Sequence, residues 1–391
     1  MKDETLIIRA GRHPHDNHGA VNPPVYHAST ILADSLADYE QKSRERVADK
    51  PGTYYGRFGT PTTLALEEAV AALEGGYKAH VYPSGLAACS GALLAFLSAG
   101  DHVLMTDSVY GPTRSLANGL LKRFGVSTTF YDPLIGAGIE ALIQPNTKVI
   151  YLESPGSLTF EVQDVPAITG VARRRGVTTI IDNTWGTPFY FKPFEHGVDV
   201  SVQAATKYIV GHSDAMMGIV TANKEHWMRL RAGTNELGQT AGPDDAYLAQ
   251  RGLRTMAVRL KQHWQTGVQL AEWIARQPEV QRVLHPALPG DPGHALWRRD
   301  FRGACGLFGV VLKPVKHEAF AAMIDGLELY GIGASWGGYE SLVVPFAPQK
   351  LRSATQWPDP GPCFRIHAGL EHIDDLVADM EAGFKRLRAA A

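Results

Sequence analysis

The chain has 391 residues, of which 45% are hydrophobic and 20% are charged, a balance typical of a globular protein with two or three domains. Its formal net charge of −2 gives no electrostatic basis for binding nucleic acid. The most apolar stretch, residues 86–99, is too short and too often interrupted by Ser and Gly to span a bilayer, and residues 1–12 lack an apolar signal core. We therefore expect a cytoplasmic protein that binds neither nucleic acid nor membranes.

The cysteines and histidines indicate no metal centre. Cys89, Cys305 and Cys363 are far apart in the sequence and form neither a disulfide nor a zinc pattern, as is usual in a reducing compartment. The 15 histidines have no metal-binding spacing either. We expect no metal site.

The N-terminal segment, residues 1–59, is rich in Pro, Gly, His and Tyr and has weak periodicity. We interpret it as an extended arm with a short helix around residues 35–46. Such an arm makes little core of its own, so we expect it to lie on a neighbouring subunit. Thr60 and Pro61 then provide an N-cap and a first-turn proline for a helix over residues 62–74.

Strand and helix patterns alternate through the next part of the chain. The predicted strands are residues 79–82, 102–106, 127–131, 148–152, 178–181, 199–203 and 218–221, with helical patterns at 86–98, 116–124 and 168–175. This alternation predicts an α/β sandwich, in which helices cover both faces of a mainly parallel sheet. In such sheets, ligands bind beyond the carboxyl ends of the strands.

A long helical pattern over residues 244–276 leaves this domain. The remainder has the pattern of a smaller α+β domain, with strands at 306–312 and 363–367 and a last helix at 374–387. The predicted organisation is an arm (1–59), a large domain (60–250) and a small C-terminal domain (251–391).

Two ionisable residues follow neighbouring predicted strands. Asp182 directly follows the strand at 178–181, and Lys207 comes shortly after the strand at 199–203. A lysine in apolar surroundings can bind an aldehyde cofactor as a Schiff base, and a carboxylate can keep a pyridine nitrogen protonated. Taken singly, the lysine could reach into solvent and the aspartate could cap a helix. Together they favour pyridoxal 5'-phosphate as the cofactor.

The junction Ser84-Gly85-Leu86 joins a predicted strand to a predicted helix. Free backbone N–H groups at such a junction can bind an anion, and Thr206 would add a hydroxyl. An ordinary turn is the alternative interpretation.

Four further side chains are candidates for the site. Tyr55 and Arg57 lie on the predicted arm, where the arginine could bind phosphate and make the site shared between subunits, or where both could be exposed on a loop. Tyr110 follows the strand at 102–106 and could stack on a cofactor or simply pack. Arg365 could bind a substrate carboxylate or face outward from its strand.

Read together, these stretches resemble the γ-family of fold-type I pyridoxal-phosphate enzymes of cysteine and methionine metabolism. The markers run in order along nearly the whole chain: Tyr54-Tyr55-Gly56-Arg57, Gly59-Thr60-Pro61-Thr62, Leu73-Glu74-Gly75-Gly76, Pro83-Ser84-Gly85, Glu153-Ser154-Pro155, Ile181-Asp182-Asn183-Thr184, Ala205-Thr206-Lys207-Tyr208, Gly211-His212-Ser213-Asp214 and residues 365–371. Within the family, the chain is most similar to the bacterial cystathionine β-lyase branch. That similarity lies in Ser154-Pro155-Gly156-Ser157, Asp182-Asn183-Thr184-Trp185, residues 203–207 and residues 335–341.

The resemblance implies a fold-type I transferase-like fold and a role for each candidate. Lys207 is implied to hold the cofactor and move protons, with Tyr55 and Tyr110 beside it in catalysis. The other implied roles are pairing with the ring nitrogen (Asp182), stacking on the ring (Tyr110), binding phosphate (Ser84, Gly85, Leu86, Thr206, with Tyr55 and Arg57 of the adjacent subunit) and binding substrate (Arg365, Ser335, Trp336, Tyr110). Ala204 stands where many members carry serine, and the loss of one neutral hydrogen bond costs about 1 kcal/mol.

The implied reaction is β-elimination of an amino-acid thioether, L-cystathionine, giving homocysteine, pyruvate and ammonia. The implied assembly is a homotetramer of two site-sharing dimers. A γ-lyase, a γ-synthase or a cysteine S-conjugate β-lyase on the same scaffold is an alternative. A pyridoxal-phosphate-binding regulator without turnover is a more distant one.

Overall fold

The structure, a computed structural model, describes residues 1–390 and contains two β-sheets with helices packed around them. The α-helices are α1 (Asp3–Arg9), α2 (Leu36–Val47), α3 (Pro61–Glu74), α4 (Gly85–Phe96), α5 (Gly111–Leu116), α6 (Val165–Arg175), α7 (Thr187–Tyr190), α8 (Trp227–Glu236), α9 (Pro243–Ala275), α10 (His294–Asp300), α11 (His317–Asp325) and α12 (Ile373–Ala389). The strands are β1 (Lys78–Tyr82), β2 (His102–Thr106), β3 (Ser127–Tyr131), β4 (Thr147–Glu153), β5 (Thr178–Asp182), β6 (Val200–Gln203), β7 (Gly218–Ala222), β8 (Val280–Leu284), β9 (Leu307–Leu312), β10 (Gly331–Ile332), β11 (Leu342–Phe346) and β12 (Cys363–His367).

The large sheet has seven strands in the order β1-β7-β6-β5-β4-β2-β3. Strands β3, β2, β4, β5 and β6 are parallel, and β7 is antiparallel to both of its neighbours. The mainly parallel sheet that the alternating pattern predicts is therefore confirmed. The carboxyl ends of β1, β2, β4, β5 and β6 all lie along one edge, where a ligand site is expected in such a sheet.

Both faces of this sheet are buried, as β4 illustrates. Val149 and Tyr151 pack on one face with α4 and α8, whereas Ile150 and Leu152 pack on the other with α3, α6 and α9. Successive strand residues point to opposite faces, so burial on both sides requires a nearly continuous apolar run. Burial on both faces thus explains why the sequences of these strands are almost continuously apolar.

The small sheet has five strands in the order β10-β11-β12-β9-β8, and it packs with α11 and α12 around a core of its own. Helix α9 belongs to both cores, because Leu253 and Leu260 pack in the large-domain core and Leu270 and Ile274 in the small-domain core. The predicted boundary at residue 250 therefore falls inside a continuous 33-residue helix. The two domains share this helix, and no linker separates them there.

The first part of the predicted arm packs on its own subunit. Ile7 of α1 is 1% exposed, and the guanidinium of Arg254 donates to the carbonyls of Ile7 and Ala10 at 2.7 and 2.9 Å. The expectation of an arm with little core of its own is thus wrong for residues 3–10, where one apolar side chain and helix-end carbonyls anchor the segment. The predicted short helix of the arm is present as α2, with Ser35 as its N-cap.

The other elements lie close to their predicted positions. The seven predicted strands of the large sheet match the observed ones to within one residue at each end. The helix predicted at 116–124 begins earlier, as α5, and continues as a π-helical turn over Ala117–Leu121. Among the residues described, no helix combines the length and apolar character needed to cross a membrane.

Candidate active site

A cavity of about 340 Å³ opens at the carboxyl edge of the large sheet and is closed on one side by the small domain. Ten of the twelve residues predicted for the site line it: Ser84, Gly85, Leu86, Tyr110, Asp182, Thr206, Lys207, Ser335, Trp336 and Arg365. The structure thus brings together side chains from both domains, from Ser84 to Arg365, that are far apart in the sequence.

Lys207 lies in the turn that follows β6, with its amine in the cavity. The amine donates a hydrogen bond to the Ser335 hydroxyl at 2.6 Å and lies 5.4 Å from the centre of the Trp336 ring. Burial, and secondarily the charge of Arg365, lower the pKa of Lys207 to about 8. Much more of this amine is therefore unprotonated near neutral pH than in an ordinary lysine, and it is available as a nucleophile or base.

Asp182 is the last residue of β5 and is 8% exposed. Its carboxylate accepts from the Thr184 hydroxyl at 2.5 Å and from the Thr184 N–H at 3.0 Å. Burial nevertheless raises the pKa of Asp182 above its ordinary value. No cationic side chain within residues 1–390 forms a salt bridge with this carboxyl group, which lines the cavity and can therefore meet a positive partner bound there.

The N-terminus of α4 lines the same cavity as the lysine. The Ser84 hydroxyl caps the helix by accepting from the Ala87 N–H at 3.1 Å, which leaves the N–H groups of Gly85 and Leu86 free to bind a ligand. Gly85 has no space for a side chain, because a Cβ there would lie 2.6 Å from the Cβ of Ala204. Two free backbone N–H groups therefore lie at the position predicted for phosphate.

Two predicted residues of the cavity wall already have partners. The Thr206 hydroxyl donates to the Met217 carbonyl at 3.2 Å and accepts from the Met217 N–H at 2.9 Å. It must give up the first of these bonds to donate to an anion. The N–H of Tyr110 donates to a carboxylate oxygen of Glu153 at 2.6 Å, and Tyr110 as a whole is 41% exposed and lines the cavity.

The small domain contributes Arg365 from β12 and the segment 335–338. One guanidinium nitrogen of Arg365 donates to the Ser335 carbonyl at 2.8 Å. Gly337 has a φ of +86°, and a Cβ there would lie 2.9 Å from the carbonyl carbon of Lys207. Glycine at this position allows the segment to pack directly on the lysine backbone.

Tyr55 and Arg57 do not reach this cavity within one chain. Both line a second cavity of about 260 Å³, next to the N-terminus of α3. Arg57 donates to the Asn235 carbonyl at 3.0 Å, and Tyr55 is 42% exposed. The structure therefore separates these two predicted residues from the other ten.

Glu153 also lines the cavity, although no role was predicted for it from the sequence. It ends β4 and pairs in register with Asp182, so two carboxyl groups lie at adjacent strand ends. Burial, followed by the Asp182 charge, raises the pKa of Glu153 well above its ordinary value. An acidic residue directly after an apolar strand, the signal used for Asp182, would also have identified it.

Comparison with known proteins gives consistent matches along the chain. Residues 4–385 match the family described as Cys/Met metabolism PLP-dependent enzyme. A putative cystathionine beta-lyase of Rhizobium johnstonii is 49% identical and aligns over 97% of this chain and 95% of its own length. The cystathionine beta-lyase MetC of Escherichia coli is 44% identical over 99% of both chains. A protein of Wolbachia pipientis named L-alanine/L-glutamate racemase is 41% identical over 99% of this chain and 98% of its own.

The fold is also similar to that of a solved structure. The crystal structure of metB from Corynebacterium glutamicum has a TM-score of 0.90 at 30% identity and covers 99% of this chain and 98% of its own.

Proposed function

Because the chain belongs to the Cys/Met metabolism PLP-dependent enzymes, we propose that it is a carbon–sulfur lyase that cleaves L-cystathionine by β-elimination. The products are homocysteine, pyruvate and ammonia. The observation that carries the proposal is the placement of Lys207, Asp182 and Arg365 around one cavity of about 340 Å³. Full-length relatives at 44% and 49% identity, named as cystathionine beta-lyases, support the choice of substrate.

The residues of the cavity fit pyridoxal phosphate at three points. The Lys207 amine, with its pKa lowered to about 8, suits an aldehyde. The buried Asp182 carboxylate, which no cationic side chain of the described residues pairs, suits a protonated pyridine nitrogen. The N–H groups at the start of α4 suit a phosphate. We propose that these groups hold the cofactor, with Tyr110 beside its ring.

The bound cofactor would serve as an electron sink for the carbon that loses a proton. Asp182 would keep the pyridine nitrogen protonated, and this would preserve the electron sink. Arg365 binds the α-carboxylate of the substrate through its planar fork and thereby orients the α-hydrogen. The Lys207 amine takes that proton, and its bond to Ser335 keeps it on the side of the cavity that Arg365 approaches.

Loss of the α-proton places electron density next to the β-carbon, from which the sulfur leaves as homocysteine. Addition of water to the remaining three carbons gives pyruvate and ammonia. A γ-elimination would require a second deprotonation, at the β-carbon. The Trp336 ring packs against Tyr208 with 5.5 Å between ring centres and lies 5.4 Å from the Lys207 amine, so it would restrict which substrate carbons that amine can reach.

The assembly we propose is a homotetramer of two site-sharing dimers. Tyr55 and Arg57 line a cavity separate from that of Lys207 in the same chain. Both would therefore serve the cofactor phosphate of a neighbouring subunit. We place the enzyme in the cytoplasm, a location with which the three cysteines agree, since each is buried and unpaired within the described chain.

The proposed reaction is tested by measuring thiol release from L-cystathionine by the purified, cofactor-loaded protein. L-Alanine is the matched control substrate because it has an α-hydrogen but no sulfur to eliminate, and a relative named as a racemase is 41% identical. We expect rapid thiol release and little D-alanine. Formation of D-alanine without thiol release would overturn the proposal.

A further inference from the structure

Two side chains on one face of β12 hold the segment 335–338. Arg365 and His367 are two positions apart on the strand, so both point to the same side of the sheet. Arg365 donates to the carbonyl of Ser335 at 2.8 Å. The Nε2 atom of His367 accepts the N–H of Gly337 at 3.1 Å when the ring proton is on Nδ1, and it donates to the carbonyl of Gly338 at 3.1 Å when the proton is on Nε2.

The segment held in this way touches the lysine through three successive residues. The Ser335 hydroxyl accepts from the Lys207 amine at 2.6 Å, and the Trp336 ring lies 5.4 Å from that amine. Gly337 packs on the lysine backbone, where a Cβ would lie 3.0 Å from the Lys207 Cα. A shift of this segment would therefore change the surroundings of the amine directly.

His367 has the surroundings of a neutral ring. It is fully buried, and its ring centre lies 5.1 Å from that of His263 and 5.9 Å from that of Tyr208. The charged groups that act on its pKa are His263, Arg365 and Lys207, all of which are cationic when protonated. Burial, followed by these charges, lowers the pKa of His367 well below its ordinary value. An imidazolium could not accept the Gly337 N–H, because both of its nitrogens carry protons.

We propose that His367 is a positioning residue for Lys207, which it serves by fixing the Gly337 backbone and thereby the contact of Ser335 with the lysine amine. The inference deepens the proposed function, since it names what keeps the base of that reaction in place. Its first test uses neither cofactor nor substrate, so its failure is distinguishable from failure of the proposed reaction.

The test compares His367→Leu, which has no acceptor, with His367→Gln, whose amide oxygen can replace Nε2. The control is His102→Leu, because His102 is equally buried and bonded to the Thr147 and Thr129 hydroxyls. It begins β2, at the end of the large sheet away from the cavity. The rate at which an amine-acylating reagent labels Lys207 in each apoenzyme is followed against pH by mass spectrometry.

A loosened segment admits water to the amine, so the midpoint of labelling in His367→Leu should rise from about 8. A rise of one unit lowers labelling at pH 8 about fivefold. In the cofactor-loaded enzymes, kcat for thiol release should fall about tenfold in His367→Leu with a smaller change in KM. His367→Gln should stay near wild type in both measurements.

The proposal is overturned if His367→Leu and His102→Leu give the same labelling midpoint as the wild type. It is also overturned if Leu and Gln at position 367 have equal effects, because the acceptor would then be irrelevant. Should His367→Leu not fold, His367→Asn takes its place, since its side chain is one methylene shorter than that of Gln.

Discussion

The Lys207 amine donates to the Ser335 hydroxyl at 2.6 Å, although 128 positions separate the two residues. Lys207 belongs to the large domain and Ser335 to a loop of the small domain that Arg365 also contacts. This hydrogen bond therefore joins the proposed base to the proposed binding group for the substrate carboxylate. The two domains have to pack correctly on each other before the site exists.

The role of Lys207 is tested by Lys207→Ala. We expect this variant to lack the visible absorption band of lysine-bound pyridoxal phosphate and to lose at least about 100-fold in activity, because the nucleophile and the base are removed together. Lys122→Ala, at an exposed lysine, is the control and should keep both. An unchanged band in Lys207→Ala would rule out the assignment.

Asp182→Asn should affect the loaded and unloaded proteins in opposite directions. The amide cannot keep a pyridine nitrogen protonated, so kcat should fall by about 100- to 1,000-fold. In the apoenzyme, burial raises the pKa of Asp182, which means that its charge is costly there, and replacement by Asn should raise Tm. Steady-state kinetics and thermal unfolding check the two effects. A variant with near-normal kcat would contradict the proposed partner of the ring nitrogen.

Glu153 should make the apoenzyme less stable as the pH rises. Burial raises the pKa of Glu153 well above its ordinary value of 4.5, so the folded chain holds this proton more tightly than the unfolded chain. The stabilisation is complete below the unfolded pKa and is lost as the pH rises through the raised folded value. The Tm of Glu153→Gln should therefore gain on that of the wild type as the pH increases over this window. Parallel Tm curves would show that Glu153 titrates normally.

A shared site predicts complementation between two inactive variants. Lys207→Ala and Arg57→Ala, denatured together and refolded as an equal mixture, should form mixed dimers in which one of the two sites is intact. Random pairing then restores about a quarter of the wild-type activity. Each variant refolded alone is the control. Activity of the mixture no higher than the mean of the separate variants would place Arg57 in its own subunit's site.

The sequence predicts the large domain well because its strands are buried on both faces. Apolar runs such as residues 102–106 cannot be solvent-facing, and the parallel arrangement brings their polar end residues to one edge. Asp182 and Lys207 could be predicted to meet for that reason alone. Tyr110 and residues 84–86 follow other strands to the same edge, where the structure indeed places them.

Contacts between the two domains cannot be predicted from the strand patterns. The packing of Gly337 on Lys207 and the hydrogen bond from its N–H to His367 depend on how the small domain sits on the large one. The boundary predicted at residue 250 lies within helix α9, which packs in two cores. Similarly, a single buried side chain, Ile7, anchors α1 within a segment whose composition is typical of an exposed arm.

The central claim is β-elimination, and identification of the keto acid formed from L-cystathionine tests it most directly. The account predicts pyruvate together with homocysteine, in equal amounts and dependent on Lys207. Formation of 2-oxobutyrate together with cysteine would contradict it. The fold and cofactor would then stand, but the enzyme would be a γ-lyase and the restriction assigned to Trp336 would be wrong.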